Sequence, residues 1–363
     1  MKIGFYLKEL NFRGIANSIY LFAKNNQKIL KNKSFIFYNK NASDNENEAI
    51  LKFKKEFKTF EVKDFNDLEK LNNIIKLDYI YFQRDGAKEK LLNGTKNIIH
   101  AIFPQNLFQI HGSNYAYISQ WLSKTCSNNK IPYVPLPVKL LESKKNLRNK
   151  LRIPKKAKVI GYHGGSTSFD LDFVRDSIKH IIKKNKNTFF IFMNIKKFFS
   201  HKRVIFIKGT FDQNKKNKFI NSCDAMLHAR SLGESFGISC AEFAIKNKPI
   251  FTYGYCRQRA HFEICKNNII PYYSYHDLIA KIENFRSNKK FNSGNLKNKL
   301  SDINTIKIFK KILLSKNDQN LKKNIIDLII TIFFSLQRSY FYMRHKIYTN
   351  FYKIFYQRLN NFN

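Results

Sequence analysis

Residues 224–250, DAMLHARSLGESFGISCAEFAIKNKPI, decide the fold of this chain. Their pattern predicts a buried strand over 224–229, a polar turn over 230–235, a helix that opens near Gly237 and a second strand that begins at Pro249. These elements make up half of a βαβ unit. Ligands of open α/β sheets bind at the carboxyl ends of strands, so the polar turn is the first candidate for a binding site.

Two glutamates flank the predicted helix start. Glu234 lies just before it, and Glu242 lies eight residues further on, inside the helix. The unpaired N–H groups and partial positive charge of a helix N-terminus can hold a phosphate, and Gly237 lets it approach the backbone closely. A rise of about 1.5 Å per helical residue places the two carboxylates on the order of 10 Å apart. A ligand with hydroxyls at both ends and a pyrophosphate between them, such as a nucleotide-sugar, fits this spacing.

With its context of GESFG, AEF and NKPI, the Glu234-x7-Glu242 pair resembles the E-x7-E signature of retaining glycosyltransferases of the family 4 type. The resemblance implies that Glu234 contacts the donor sugar, that Glu242 holds the ribose hydroxyls, and that the helix start binds the diphosphate. By position, the diphosphate-binding backbone is that of Ser235, Phe236, Gly237 and Ile238. The alternative is a solvated helix start, because glutamate pairs at this spacing are common on exposed helices.

Length, composition and net charge limit the classes of protein to which this chain can belong. A chain of 363 residues is long enough for two α/β domains, and 43% hydrophobic residues indicate a globular protein. A net charge of +40 ordinarily indicates a nucleic-acid or anionic membrane partner. The excess of Lys, Asn, Ile, Phe and Tyr is also what AT-rich codons encode, so coding bias is a competing explanation. No helix-turn-helix, zinc-finger or RNP pattern accompanies the charge, and a nucleic-acid partner is not expected.

The cysteines and the amino terminus indicate a cytoplasmic protein. The five cysteines form no C-x-x-C pair and are predicted to be reduced thiols: Cys126, Cys223, Cys240, Cys256 and Cys265. His261 between the last two suggests a metal site, but a fourth ligand at usable spacing is missing. The start, MKIGFYLKELNFRG, is too short and too charged for a signal peptide. No run reaches the ~18 to 20 apolar residues of a membrane span.

The resemblance and the alternation of strands and helices together predict an α/β protein of GT-B architecture, with two Rossmann-like parallel-sheet domains facing a cleft. We place an amino-terminal, acceptor-side domain at 1–140 and a nucleotide-sugar domain at 150–290. Residues 131–158 contain four of the seven prolines and are interpreted as the crossing between them. A helix at 291–316 is predicted to return to the amino domain, and 317–363 form a helical basic and aromatic tail.

Three further candidates lie in the predicted amino-terminal domain. Arg13 and Gly14 lie in the first loop, where family members often carry a Gly-Gly pair. Arg13 either reaches a donor phosphate or acceptor group or is a solvated loop arginine. His100 lies on a predicted strand over 97–103, at the position where the resemblance puts a histidine that faces the donor sugar. A lone strand histidine is otherwise a satisfied core residue.

A second candidate phosphate site is the glycine-rich turn HGGST, which contains Gly164, Gly165 and Ser166. Its exposed N–H groups can cradle a phosphate. Here the chain departs from the family, in which an Arg and a Lys bracket the diphosphate. His163 stands near the Arg position, and no Lys follows within the turn. Arg230 is the candidate substitute, the alternative being that it caps the strand end in solvent.

The function indicated is a glycosyltransferase of hexosyltransferase type, which moves a sugar from a nucleoside-diphosphate sugar to a glycan or lipid-linked acceptor. Asp170-Leu171-Asp172 matches the D-x-D pattern of metal-dependent enzymes, but acidic residues are favoured at a helix start, and we assign no metal. No cofactor is expected beyond the nucleotide-sugar co-substrate. The alternatives are another GT-B enzyme, such as a nucleotide-sugar epimerase or phosphorylase, and a non-enzymatic protein that binds nucleic acid or anionic lipid.

The tail alternates basic and aromatic residues, a composition typical of an interfacial amphipathic helix. The apolar run at 325–336 is interrupted by Asp327 and is too short to span a bilayer. We predict contact with the inner face of an anionic membrane, and the alternative is packing on the protein or on a second subunit. The basic residues are Lys322, Lys323, Arg338, Arg344, Lys346, Lys353 and Arg358.

Overall fold

The computed structural model describes residues 1–11, 13–286, 291–315 and 325–354. Three basic residues of the predicted tail, Lys322, Lys323 and Arg358, therefore lie outside the described residues. The chain forms two compact units. Unit 1 comprises Met1–Lys139 with Lys297–Phe334, and unit 2 comprises Leu140–Leu296 with Ser335–Asn363.

Strands and helices alternate along the chain. The strands are β1 (Lys2–Leu7), β2 (Lys33–Asn39), β3 (Lys58–Val62), β4 (Tyr79–Arg84), β5 (Lys96–Ala101), β6 (Asn114–Tyr117), β7 (Lys158–His163), β8 (Thr188–Met193), β9 (Val204–Ile207), β10 (Ala225–His228), β11 (Gly233–Glu234), β12 (Ile250–Tyr253), β13 (Gln258–Arg259) and β14 (Ile269–Tyr272). The helices are α1 (Gly14–Lys28), α2 (Asn47–Glu56), α3 (Phe65–Ile75), α4 (Gln120–Ser127), α5 (Asp172–Lys184), α6 (Gln213–Ser222), α7 (Ile238–Ile245), α8 (Ala260–Ile264), α9 (Tyr275–Asn284), α10 (Leu296–Lys299), α11 (Asp302–Leu313) and α12 (Ile325–Tyr352).

Unit 1 is built on a six-stranded parallel sheet in the order β3-β2-β1-β4-β5-β6. Its central strands are almost continuous apolar runs, as expected for a parallel sheet covered on both faces. The ring of Phe309 in α11 lies 5.0 Å from that of Phe22 in α1 and 5.5 Å from that of Tyr81 in β4. The side-chain amide of Asn114 donates to the backbone oxygen of Leu313 at 3.0 Å, so α11 is held at its end as well.

Unit 2 contains a second six-stranded parallel sheet, in the order β14-β12-β10-β7-β8-β9. The chain runs outward from β7 through β8 to β9 and then returns to β10, which pairs with the other side of β7. The point at which the strand order reverses therefore lies between β7 and β10. Ligands of doubly wound sheets bind at this point, beyond the carboxyl ends of the strands.

The predicted fold class, α/β with two Rossmann-like parallel sheets, is confirmed. Three local features differ from expectation. The edge strand β3, which was not predicted, completes the first sheet, and β11 pairs with β13 in a two-stranded ladder that was not predicted either. The helix expected over 291–316 begins at Leu296 and is divided into α10 and α11, because the Ser301 side chain accepts from the backbone N–H of Asn304 and starts a new helix there.

The carboxyl-terminal part of α12 packs on unit 2 through one face. Phe341, His345, Tyr348 and Tyr352 recur every three or four residues on that face. The Tyr348 ring lies 5.1 Å from that of Phe173, and the Tyr352 hydroxyl donates to Asp176 at 2.9 Å. Within the described ranges, no helix combines the length and the hydropathy needed to cross a bilayer.

Candidate active site

The turn after β10 is fixed in place by the small β11–β13 ladder. Gly233 pairs with Gln258, and Glu234 pairs with Arg259. Gly233 has a φ of +73°, and a Cβ atom built there would lie 2.0 Å from the backbone oxygen of Gln258. Only glycine fits at this position, and the ladder in turn determines where the Glu234 side chain begins.

The Arg259 side chain, opposite Glu234 in this ladder, is held between two rings. Its guanidinium carbon lies 4.0 Å from the ring centroid of Phe262 and 4.3 Å from that of Phe341 in α12. The guanidinium also donates to the backbone oxygen of Gly254. The tail helix therefore contributes directly to the support of the ladder.

The Glu234 side chain is 16% exposed, and each of its carboxylate oxygens contacts one partner side chain. Its Oε2 accepts from Nη1 of Arg230 at 3.0 Å, and its Oε1 lies 3.3 Å from Nε2 of His228. Burial raises the pKa of Glu234, but Arg230 and His228 lower it by more, and the resulting pKa is about 2. The group is therefore a permanent hydrogen-bond acceptor at neutral pH.

Helix α7 begins directly behind this carboxylate. Gly237, with a φ of +88°, is its N-cap residue and makes no side-chain cap. Ser235 and Phe236 are buried, whereas Ile238 and Ser239 in the first turn are half-exposed. The first N–H groups of an α-helix have no partner within the helix, so this end of α7 presents donors and partial positive charge.

The Glu242 carboxylate lies deeper, with 1% of its side chain exposed. Its Oε1 forms an ion pair with Lys216 of α6, and its Oε2 lies 2.9 Å from Nε2 of His163 at the end of β7. Burial raises the pKa of Glu242, whereas the charges of Lys216 and His163 lower it to about 2. With 1% of its side chain exposed, the carboxylate is closed to solvent, so a ligand hydroxyl reaches it only if a neighbouring side chain moves.

The glycine-rich turn follows β7 at the same reversal point. Gly164 and Gly165 are half-exposed and Ser166 is exposed. Two carbonyl groups of the turn are held from the segment after β8, since the Asn194 side chain donates to Gly164 at 2.8 Å and the backbone N–H of Lys196 donates to Ser166 at 2.9 Å. The turn is thus anchored through its carbonyl oxygens while its residues remain accessible.

The candidates in unit 1 are placed differently. Arg13 precedes α1, which begins at Gly14, and its guanidinium pairs with Glu9 at 2.9 Å and Asp44 at 2.8 Å. His100 is fully buried, with one ring nitrogen 2.6 Å from the Tyr81 hydroxyl and the other 2.8 Å from the Val134 oxygen. Burial lowers the pKa of His100 to about 4. This environment favours the reading of His100 as a satisfied core histidine.

Asp170, from the D-x-D match, holds two loops of unit 2 together. Its carboxylate accepts from the backbone N–H of Ser231 at 2.7 Å and from the Ser231 hydroxyl at 2.8 Å. Asp172 lies in the first turn of α5 and pairs with Arg175. Among the described residues, no group of three or more His, Cys, Asp and Glu side chains is arranged as a metal site.

The chain is similar to solved structures of glycosyltransferases. No protein-family model matches it, and no curated protein matches it. A glycosyltransferase from Rickettsia africae superposes with a TM-score of 0.63 at 13% identity, over 86% of this chain and 98% of that one. HepE from Anabaena in complex with UDP-glucose gives 0.59 at 12% identity, over 93% and 99%. WaaG, a glycosyltransferase involved in lipopolysaccharide biosynthesis, gives 0.56 at 11% identity, over 85% and 95%.

The chain has the GT-B fold. In this GT-B protein Glu234 and Arg230 lie together after β10, and Glu242 lies in α7 beside the end of β7. The sequence did not indicate the partners that hold the two carboxylates. Lys216 is one of several lysines in a polar helix, and nothing in its spacing distinguishes it from its solvated neighbours. His228 was visible as a polar residue at the end of an apolar strand, which is a usable signal for a strand-end site.

Proposed function

We propose that this protein transfers a sugar from a nucleoside-diphosphate sugar to a hydroxyl of a glycan or lipid-linked acceptor, with retention at the anomeric carbon. The observation that carries the proposal is the placement of two ionised carboxylates, Glu234 and Glu242, around the N-terminus of α7 at the strand-order reversal of unit 2. A GT-B protein that was solved with UDP-glucose supports a nucleotide-sugar as the donor.

In this proposal the donor lies along the start of α7. Glu234 accepts from hydroxyls of the transferred sugar, and Glu242 accepts from the ribose hydroxyls. Because the Glu242 carboxylate is almost completely buried in the free protein, donor binding moves Lys216 or His163 aside. If Lys216 moves, its ammonium group faces the diphosphate and supplies the positive charge that the glycine-rich turn lacks.

Catalysis consists mainly of stabilising charge on the leaving diphosphate. The N–H groups at the start of α7, the turn at 164–167 and Arg230 provide that stabilisation without a metal or a cofactor. The resemblance to family 4 enzymes supports departure and attack on the same face of the sugar, with the leaving phosphate taking the proton of the acceptor hydroxyl. No covalent enzyme intermediate is required in this scheme.

We further propose that the protein works as a peripheral protein on the inner face of an anionic membrane. The outward face of α12 carries large apolar side chains every three or four residues, and the flanking basic residues Arg344, Lys346 and Lys353 are exposed. Residues 335–354 contain no Asp or Glu. An apolar stripe with basic flanks suits the headgroup region of an anionic bilayer. The stripe consists of Leu336, Tyr340, Met343, Ile347, Phe351 and Ile354.

A thermal-shift panel of nucleoside diphosphates and nucleotide-sugars tests the proposed donor. A ligand at 100 times its Kd raises the free energy of unfolding by about 2.7 kcal/mol, which is easily measured. We expect Glu242→Gln to weaken binding of the diphosphate and of its sugar roughly equally, by about ten-fold for the loss of a charged acceptor. Glu234→Gln should leave diphosphate binding intact and reduce turnover of the nucleotide-sugar. Glu283→Gln, which alters a surface pair with Lys184, is the matched control.

The same measurements separate the rival functions. Turnover of a nucleotide-sugar with no acceptor present would indicate an epimerase or phosphorylase. Binding that collapses with added salt and ignores both glutamate variants would indicate a basic protein for nucleic acid or lipid. The absence of any nucleotide effect on thermal stability would contradict the proposed function.

A further inference from the structure

A row of buried polar side chains lies behind Glu234. Nε2 of His228 faces the carboxylate at 3.3 Å, and Nδ1 of the same ring lies 2.8 Å from Oγ1 of Thr252. That hydroxyl oxygen lies 3.0 Å from Nε2 of His261. His228, Thr252 and His261 are all completely buried, so the row runs from a partly exposed carboxylate into the core of unit 2.

The backbone fixes each member of this row. His228 and Thr252 are direct partners in the register of β10 and β12. The Tyr272 hydroxyl donates to the backbone oxygen of His228 at 2.9 Å. His261 belongs to α8, and its Cβ lies 3.0 Å from where a side chain at Gly237 would begin. The row therefore connects two central strands with the start of α7.

The hydrogen-bond chemistry allows only one orientation of His228 toward the carboxylate. An ionised carboxylate can only accept, so Nε2 of His228 carries a proton. With neutral His228, the Thr252 hydroxyl donates to Nδ1 and its oxygen accepts from Nε2–H of His261. With protonated His228, both bonds reverse, and the hydroxyl donates to Nε2 of His261. Burial and the charge of His228 lower the pKa of His261 well below its usual value, so His261 is neutral in both arrangements.

We propose that His228, Thr252 and His261 form a positioning relay that holds the Glu234 carboxylate in the orientation needed to accept hydroxyls of the donor sugar. This inference rests on the proposed function. His228 restrains one oxygen of Glu234 while Arg230 restrains the other, so the free lone pairs point in fixed directions. Thr252 and His261 do not touch the substrate and act through His228.

The first test measures the relay without any ligand. Side-chain ¹⁵N NMR of the full chain, with the His228 signals assigned by a His228→Gln variant, should show Nε2 of His228 protonated in the wild-type protein. Thr252→Val removes the hydroxyl at nearly constant volume and should shift the Nδ1 signal of His228, because that nitrogen loses its hydrogen-bond partner while Glu234 still holds the Nε2 proton. Thr252→Ser restores the hydroxyl and should return the Nδ1 signal to its wild-type position. Thr188→Val, which removes a buried threonine hydroxyl from β8 of the same sheet, should leave the His228 signals unchanged.

The second test measures the consequence for sugar binding. Kd values for UDP and for UDP-glucose, UDP-galactose and UDP-N-acetylglucosamine give the factor by which the sugar improves binding. We expect Thr252→Val to reduce this factor by roughly ten-fold for the most tightly bound sugar, as for the loss of one charge-assisted hydrogen bond, with the Kd for UDP unchanged. Thr252→Ser and Thr188→Val should both retain the factor.

The two tests fail independently of the proposed function. If His228 carries its proton on Nδ1 alone, or if its Nδ1 signal is unchanged in a folded Thr252→Val protein, the relay is overturned whether or not nucleotides bind. If NMR shows the relay but Thr252→Val does not reduce the factor by which the sugar improves binding over UDP, the role of the relay in positioning the sugar is overturned. If no UDP compound binds while the NMR result holds, the proposed function fails and the relay remains as an element of structure.

Discussion

Gly233 shows how strongly a single residue constrains the site. Its positive φ and its contact with the Gln258 backbone oxygen exclude every side chain, and the residue that follows it is Glu234. A β-carbon at Gly233 would therefore shift the backbone of Glu234 and move its carboxylate, although no charged group is altered.

We expect Gly233→Ala to destabilise unit 2 by about 1 to 3 kcal/mol, because the ladder must open to relieve the clash and alanine is strained at this φ. Urea unfolding of the two proteins measures the difference. Gly165→Ala is the matched control, because a Cβ there meets only Ser168 atoms at 3.9 to 4.0 Å. Equal stability of both variants would show that the ladder tolerates the displacement and does not fix Glu234.

Part of the site can be predicted at this scale and part cannot. Glu234, Gly237 and Glu242 lie close in sequence, so their spacing on a turn and helix was enough to bring them together. Lys216, Thr252 and His261 approach from separate elements, and their contacts depend on strand register and on which side of α6 faces inward. Neither the strand register nor the inward side of α6 can be inferred from a single sequence, because side chains pair across the sheet by position and not by residue type.

At the scale of elements, α12 has one face that packs on unit 2 and one face that is exposed. The inward residues recur at the same three- and four-residue spacing as the outward ones, but they contact aromatic rings of unit 2. The basic and aromatic pattern predicted a helix here. It did not predict which aromatic residues are buried, because Tyr and Phe occupy both faces.

We expect replacement of the outward residues Leu336, Met343 and Ile347 by serine to weaken binding to vesicles of phosphatidylglycerol and phosphatidylcholine by at least about ten-fold, because each buried apolar side chain contributes on the order of 1.5 to 3 kcal/mol. Vesicle co-sedimentation measures the change, and the thermal midpoint should stay the same.

The control replaces exposed apolar residues of unit 1, Leu51 and Ile74, by serine, which should not affect vesicle binding. If the wild-type protein ignores vesicles and instead forms a dimer that the α12 substitutions dissociate, the outward face is a subunit interface and not a membrane surface.

At the scale of the whole molecule, buried titratable groups make the fold sensitive to acid. The pKa of His100 is lowered to about 4, so an unfolded chain binds a proton at this residue near its usual value of 6.5 while the folded chain does not. Glu234 and Glu242, with pKa values of about 2, stabilise the folded state above their usual value and lose that contribution as the pH falls toward 2. All three groups therefore act in the same direction.

We expect the free energy of unfolding to decrease as the pH falls from about 6.5 to 4, by up to roughly 3 kcal/mol through His100, with a further decrease below about 4.5 from the two glutamates. Denaturant titrations across this range measure it. His100→Gln should make the upper part of the curve less steep, with buried His261 contributing the remaining slope, whereas His276→Gln, at an exposed position, should not change it. A stability that is constant from pH 6.5 to 4 in the wild-type protein would contradict this account.

The sandwiching of Arg259 between Phe262 and Phe341 also affects how a shortened chain would behave. A truncation that removes α12 to improve solubility would also remove the Phe341 ring from the Arg259 guanidinium. Arg259, the strand partner of Glu234, would then be uncovered on one side. Slow turnover by a shortened protein would therefore not distinguish loss of the proposed membrane contact from loosening of the proposed donor site. Substitutions on the outward face of α12 separate these two effects, because they leave Phe341 in place.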